Sequence, residues 1–96
     1  MAVGAVPYPF TTSGIVGPTN ANGFVEIHGL TLRETGGATA LVCTLREGSS
    51  TGPIVGEFGI PISGSLGNGF LPKIKVHGSV YVAVSGGTAS GVLYVQ

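Results

Sequence analysis

The sequence predicts an all-β fold: a small antiparallel β-sandwich, or a β-barrel-like variant, of about six to eight short strands with an extended N-terminal arm. Three observations predict it. Apolar residues recur with period two along most of the chain, and no segment carries a 3.6-residue apolar stripe of useful length. Clusters rich in Gly, Ser and Thr interrupt these runs roughly every 8–12 residues. The runs themselves are rich in β-branched and aromatic residues, which suit a pleated, half-buried surface.

Residues 1–19 hold Pro7, Pro9 and Pro18, no charge and little alternation, so they read as the extended arm, and residues 20–96 as the sandwich domain. Phe24-Val25-Glu26-Ile27 opens a strand with Val25 and Ile27 on one face. Leu30, Leu32 and Glu34 continue in the opposite phase, and a switch at His28-Gly29 reads as a β-bulge. Thr35-Gly36-Gly37-Ala38 turns the chain into a second strand over 39–46, with Leu41, Cys43 and Leu45 on one face and Ala40, Val42 and Thr44 on the other. Gly48-Ser49-Ser50-Thr51-Gly52 is a loop by composition. Beyond Pro53, the residues Ile54, Phe58, Ile60 and Ile62 share a parity, and Pro61, with no N–H for a ladder, marks a strand end or an edge.

Ser63 to Gly69 reads as a flexible or tight turn, Phe70 and Leu71 restore hydrophobicity, and Lys73-Ile74-Lys75-Val76-His77 forms a short alternating piece. The closing segments, Ser79 to Val84 and Gly91 to Gln96, read as a hairpin joined by Ser85-Gly86-Gly87-Thr88-Ala89, where Gly86 and Gly87 tolerate positive φ.

Composition narrows the function. Charged residues make up 8% of the 96, against about 25% in an average soluble domain. Four Lys and Arg balance four acids, all Glu, for a formal net charge of zero, and Gly supplies 18 residues. This excludes a basic nucleic-acid binder, an acidic tail, a charged coiled coil and a disulfide-framed mini-protein, and it argues against an enzyme. A neutral, ion-poor exterior lacks the repulsion that keeps monomers apart, so part of it is expected to lie against other subunits.

Cys43, the only cysteine, sits in phase with Leu41 and Leu45 and reads as a buried hydrophobe. His28 and His77 show no metal-ligand spacing with each other or with Cys43, so no metal or other cofactor is expected. The four glutamates are expected to face solvent. No Gly-x-Ser-x-Gly elbow occurs, and Gly64-Ser65-Leu66-Gly67-Asn68-Gly69 has the wrong order for a phosphate cradle. No catalytic residue is assigned. No apolar run reaches the ~18 residues of a membrane span, and the N-terminus lacks the positive region of an export signal, which points to synthesis in the cytoplasm.

Two features point to binding. In the arm, Val3, Val6, Tyr8 and Phe10 have no apolar partners within their own segment, and Pro7 and Pro9 hold the path extended, which lowers the entropy lost on docking. In the closing segments, Tyr81 and Tyr94, with Val80, Val82, Val92 and Leu93, place large apolar groups on both faces. The expected partner-binding residues are therefore Val3, Val6, Pro7, Tyr8, Pro9, Phe10, Tyr81 and Tyr94.

Leu30-Thr31-Leu32-Arg33-Glu34-Thr35-Gly36-Gly37-Ala38 is followed by Ala40-Leu41-Val42-Cys43-Thr44-Leu45-Arg46-Glu47-Gly48, then by Ile60-Pro61-Ile62-Ser63-Gly64 and the Val- and Tyr-rich close over 78–96. This pattern, over residues 23–96, resembles small β-sandwich virion proteins of tailed bacteriophages. The resemblance implies a capsid decoration or cement protein on the virion surface. It would bind the major capsid protein, self-associate as a homotrimer or other homo-oligomer, and bridge neighbouring capsomers, with no nucleic-acid or membrane partner. Its other implications are a neck, tail or fibre module of the virion. A carbohydrate-binding host-attachment domain is the third expectation, with the absence of Trp and Asp against it.

Overall fold

A computed structural model describes residues 5–96, with residues 68 and 70–72 described by backbone alone. Its elements are all strands: β1 (Val6–Phe10), β2 (Gly14–Ile15), β3 (Asn20–Glu34), β4 (Leu41–Glu47), β5 (Ile54–Ile60), β6 (Ser65–Gly78), β7 (Val80–Ser85) and β8 (Ala89–Val95). They form two four-stranded antiparallel sheets. The first has the order β1-β8-β3-β6 and the second β2-β7-β4-β5. The expected all-β sandwich is what the chain adopts.

The core lies between the sheets. Val25, Ile27, Leu30, Leu32, Val76, Leu93 and Val95 from the first sheet meet Leu41, Cys43, Leu45, Ile60, Val80 and Val82 from the second. The phase switch in β3 is present: the register slips between Ile27 and Gly29 against both β6 and β8, so Val25 and Ile27 before it and Leu30 and Leu32 after it all reach the interior. Against β8 one extra residue in β3 does this; against β6 the extra residues lie in β6, between Gly69 and Ile74.

Several expectations are corrected. The closing segments are no hairpin: β7 pairs with β4 and β2, while β8 pairs with β3 and β1 in the opposite sheet. Residues 86–88 form an arch across the core. Period-two burial is the same in a hairpin and an arch, so the alternation of Val80, Val82, Leu93 and Val95 fits both. Residues 65–69 are not a turn; they extend β6 and pair with Gly29 to Arg33. The shared parity of Ile54 to Ile62 also fails. A bulge puts Leu45 opposite Gly56 and Arg46 opposite Ile54, which turns Val55 toward the core and Ile54 out to solvent. Ile62 lies beyond the strand, which stops at Ile60 ahead of Pro61, and is exposed.

Nor do residues 5–19 form an arm separate from a 20–96 domain. β1 is added to the first sheet beside β8, and β2 to the second beside β7, with Phe10 and Val16 in the core between them. The Ser13 hydroxyl fixes the crossing: it donates to the Val84 carbonyl at 3.4 Å and accepts the Val84 N–H at 2.9 Å. A short apolar segment beside an unpaired sheet edge gains its ladder and its burial from its own chain.

Candidate interaction surface

Pairing with β8 decides where the expected docking residues point. Val6, Tyr8 and Phe10 stand opposite Val95, Leu93 and Gly91, the inward positions of β8, so all three side chains point toward the chain's own core. Phe10 is 7% exposed, Tyr8 packs against the core, and Val6 at 45% is the most open of the three. Val3 lies outside the described residues. Pro7 and Pro9 stand opposite Tyr94 and Val92 on the outer face. Prolines have no N–H to give β8, so these must be the non-hydrogen-bonded pairs, and the missing donors fall on the free edge of β1. That edge is a poor template for another strand.

Tyr81 and Tyr94 are not brought together. Tyr94 lies on the outer face of the first sheet with Pro7, Pro9 and Val92, whereas Tyr81 lies on the outer face of the second. A shallow groove of about 340 Å³ crosses the first face, lined by Thr31, Arg33, Ser65, Gly67, Ser90 and Val92. It brings hydroxyls and one guanidinium together but no carboxylate, imidazole or thiol.

The outer face of the second sheet carries three open aliphatic side chains, whereas the most exposed large hydrophobic, Phe24 at 60%, lies on β3 of the first sheet. Ile15, Tyr81, Arg46 and Ile54 make one cross-strand row over β2, β7, β4 and β5. The next row is Ala83, Thr44 and Glu57, and the one after it Ser85, Val42 and Gly59. Ile15 is 48% exposed, Val42 41% and Ile54 52%. These three large aliphatic groups stand open on one sheet face, Ile15 and Ile54 on its two edge strands and Val42 two rows away. Its two charges sit in adjacent rows. The Arg46 guanidinium donates to the Gly52 carbonyl at 2.8 Å, and Glu57 accepts the Thr44 hydroxyl at 3.2 Å.

The remaining ionisable chemistry is structural. Glu34, expected in solvent, is 2% exposed because the β3 bulge puts it in phase with Leu30 and Leu32. Its carboxylate accepts four backbone N–H groups: Gly36 and Gly37 at 2.8 Å, Ser63 and Thr88 at 3.0 Å. The donors belong to three arches, β3–β4, β5–β6 and β7–β8, so one side chain fastens three crossings between the sheets. Donation from Ser63, Thr88, Gly37 and Gly36 outweighs burial and holds the Glu34 carboxyl down at about 2. The local backbone suits this grip. Gly37 (φ 77) and Gly86 (φ 87) take conformations that side chains resist, and Ser63 is itself held at φ 56.

At the other end Glu47 accepts the His77 N–H at 2.8 Å and joins β4 to the β6–β7 corner. His28 meets Glu26 at 2.8 Å, and His77 packs edge-on against Phe24. Among the described residues no group of three or more His, Cys, Asp or Glu could hold a metal ion.

Cys43 is fully buried, and desolvation pushes its thiol up to about 11. Native protein at pH 8 is therefore expected to leave an aromatic disulfide reagent unreacted over an hour, with one thiol per chain released on adding denaturant. Rapid reaction of the native protein would contradict this burial.

Sequence reasoning missed Ile15, Val42, Ile54 and Glu34. Parity did carry a signal for two of them: Val42 alternates against Leu41 and Cys43, and Glu34 continues the inward phase of Leu30 and Leu32. Ile15 needed the β2–β7 pairing, and Ile54 needed the bulge. Comparison with known protein families, curated proteins and solved structures finds no match to this chain.

Proposed function

We propose that the chain is a structural virion protein, a capsid decoration or cement protein that binds the outer capsid surface in many copies and stabilises contacts between capsomers. The observation that carries this reading is the outer face of the second sheet, where Ile15, Val42 and Ile54 stand open and Tyr81 half-buried beside only two charges. The pattern over residues 23–96 supplies the virion setting. No covalent bond or cofactor is needed. Apolar burial stabilises by about 25 cal/mol per Å², a specific contact covers roughly 800 Å² per partner, and a lattice repeats it many times. The second apolar patch, Pro7, Pro9, Val92 and Tyr94 on the opposite face, lets one copy touch two neighbours. In this reading that patch meets the major capsid protein.

The test is cosedimentation of purified protein with tailed-phage capsids stripped of their decoration, followed by heating of the particles. Saturable binding and a higher temperature of genome release are expected. A protein that leaves every capsid tested unbound at micromolar concentration, and none more heat-resistant, overturns the reading.

A further inference from the structure

The charges on the second sheet's outer face have a definite arrangement. Arg46 on β4 stands opposite Ile54, and Glu57 on β5 stands opposite Thr44, one row away. They are opposite in sign, yet among the described residues they form no ion pair with each other. Each has one hydrogen bond, Arg46 to the Gly52 carbonyl and Glu57 from Thr44, and each keeps most of its capacity, since a guanidinium carries five donors and a carboxylate about four acceptor sites.

A face with a cation on the interior strand β4, an anion on the edge strand β5, and Ile15, Tyr81, Val42 and Ile54 in the same and neighbouring rows is complementary to itself. The geometry points to this face packing against the same face of a second copy about a two-fold axis, with Arg46 of each copy set against Glu57 of the other. The inference rests on the proposal that the protein works by association in many copies. Charge selects the occupant: a two-fold operation pairs unlike charges twice, whereas a uniformly charged partner would repel one of the two. A zero net charge adds no long-range repulsion between copies. Size permits the contact, because the broad side of the molecule, 41 by 31 Å, accommodates the roughly 800 Å² per partner that a stable pair needs. An isologous contact closes at two copies, so the unit is a dimer and not the trimer that the resemblance implies, and larger clusters must use another surface.

The test is light scattering and sedimentation of the full chain over a concentration series. Wild type is expected at twice the chain mass. Arg46→Glu and Glu57→Arg are each expected to weaken association at least tenfold, and R46E/E57R to restore it. Because Arg46 also bonds Gly52, Ile54→Lys gives an independent disruption at an exposed site, and a thermal melt of each variant reports folding. A monomer at millimolar concentration, or an oligomer indifferent to Ile54→Lys and to the charge reversals, overturns the pairing. Capsid cosedimentation separates the two proposals. A monomeric wild type that binds capsids sinks the pairing alone, and a dimer that binds no capsid sinks the decoration role alone.

Discussion

Glu34→Ala is expected to lower the melting temperature by about 10 °C or more, the largest effect of any single polar substitution in this chain. Alanine leaves the N–H groups of Gly36, Gly37, Ser63 and Thr88 without their acceptor, and the three arches they belong to keep, among the described residues, only the Thr35 N–H to the Thr88 carbonyl and the Glu34 N–H to the Gly64 carbonyl as backbone ties. Glu34→Gln is expected to recover only part of the loss, since its amide has one acceptor oxygen and turns an NH₂ toward donors. The same site sets an acid dependence. The carboxyl titrates near 4.5 when unfolded and near 2 when folded, so the folded state holds its charged form more tightly. Its stabilising contribution is complete above pH 4.5 and is lost as pH falls toward about 2. Thermal melts across that window should fall more steeply for wild type than for Glu34→Gln. Equal melting temperatures and equal acid slopes would show that the carboxylate fastens nothing.

Phe10→Ala is expected to cost about 3 kcal/mol, a large share of the roughly 5–15 kcal/mol that holds a domain of this size together. The ring lies close on the backbone of β8: a Cβ at Gly91 would sit 2.6 Å from its Cζ. Removing the ring opens a cavity between β1 and Leu32 and leaves the edge strand with Tyr8 as its main inward anchor. Denaturant unfolding measures the loss, and limited proteolysis should cut residues 5–13 in the variant while sparing wild type. If the segment served only as an arm reaching for a partner, the isolated protein would be equally stable with and without the ring. That result would detach β1 from the sandwich.

The class of fold was legible because period-two burial and Gly-rich turns are local properties. The bulge at His28-Gly29 was legible for the same reason, since a change of phase is written along the strand that carries it. Partnership between strands was not. β7 and β8 look like a hairpin because Val80, Val82, Leu93 and Val95 alternate identically whether they share a sheet or face each other across a core. The N-terminal segment looked unpartnered because its partner, β8, lies some eighty residues further along. Glu34 shows the limit most clearly: its phase marked it as inward, but the prior that a carboxylate avoids burial prevailed. The donors that overturn that prior come from turns around residues 36, 63 and 88, far apart in sequence. On the outer face of the second sheet, Tyr81 was found from its type alone, while Ile15 and Ile54 became visible only once neighbouring strands placed them in its row.

Of the seven connections between the described strands, β4–β5 alone stays within one sheet; the other six cross. Nearly every ladder therefore joins parts of the chain made at different times, and β8 takes an interior place in its sheet, between β1 and β3. On the ribosome, β1 has no strand to pair with, and the second half of β3 has β6 on one side only, until the strand ending at Val95 is out. Folding then proceeds as one late, slow, cooperative event rather than piecemeal during synthesis. A nascent chain released before that strand is complete exposes Phe10, Leu32 and Ile27 together to proteases.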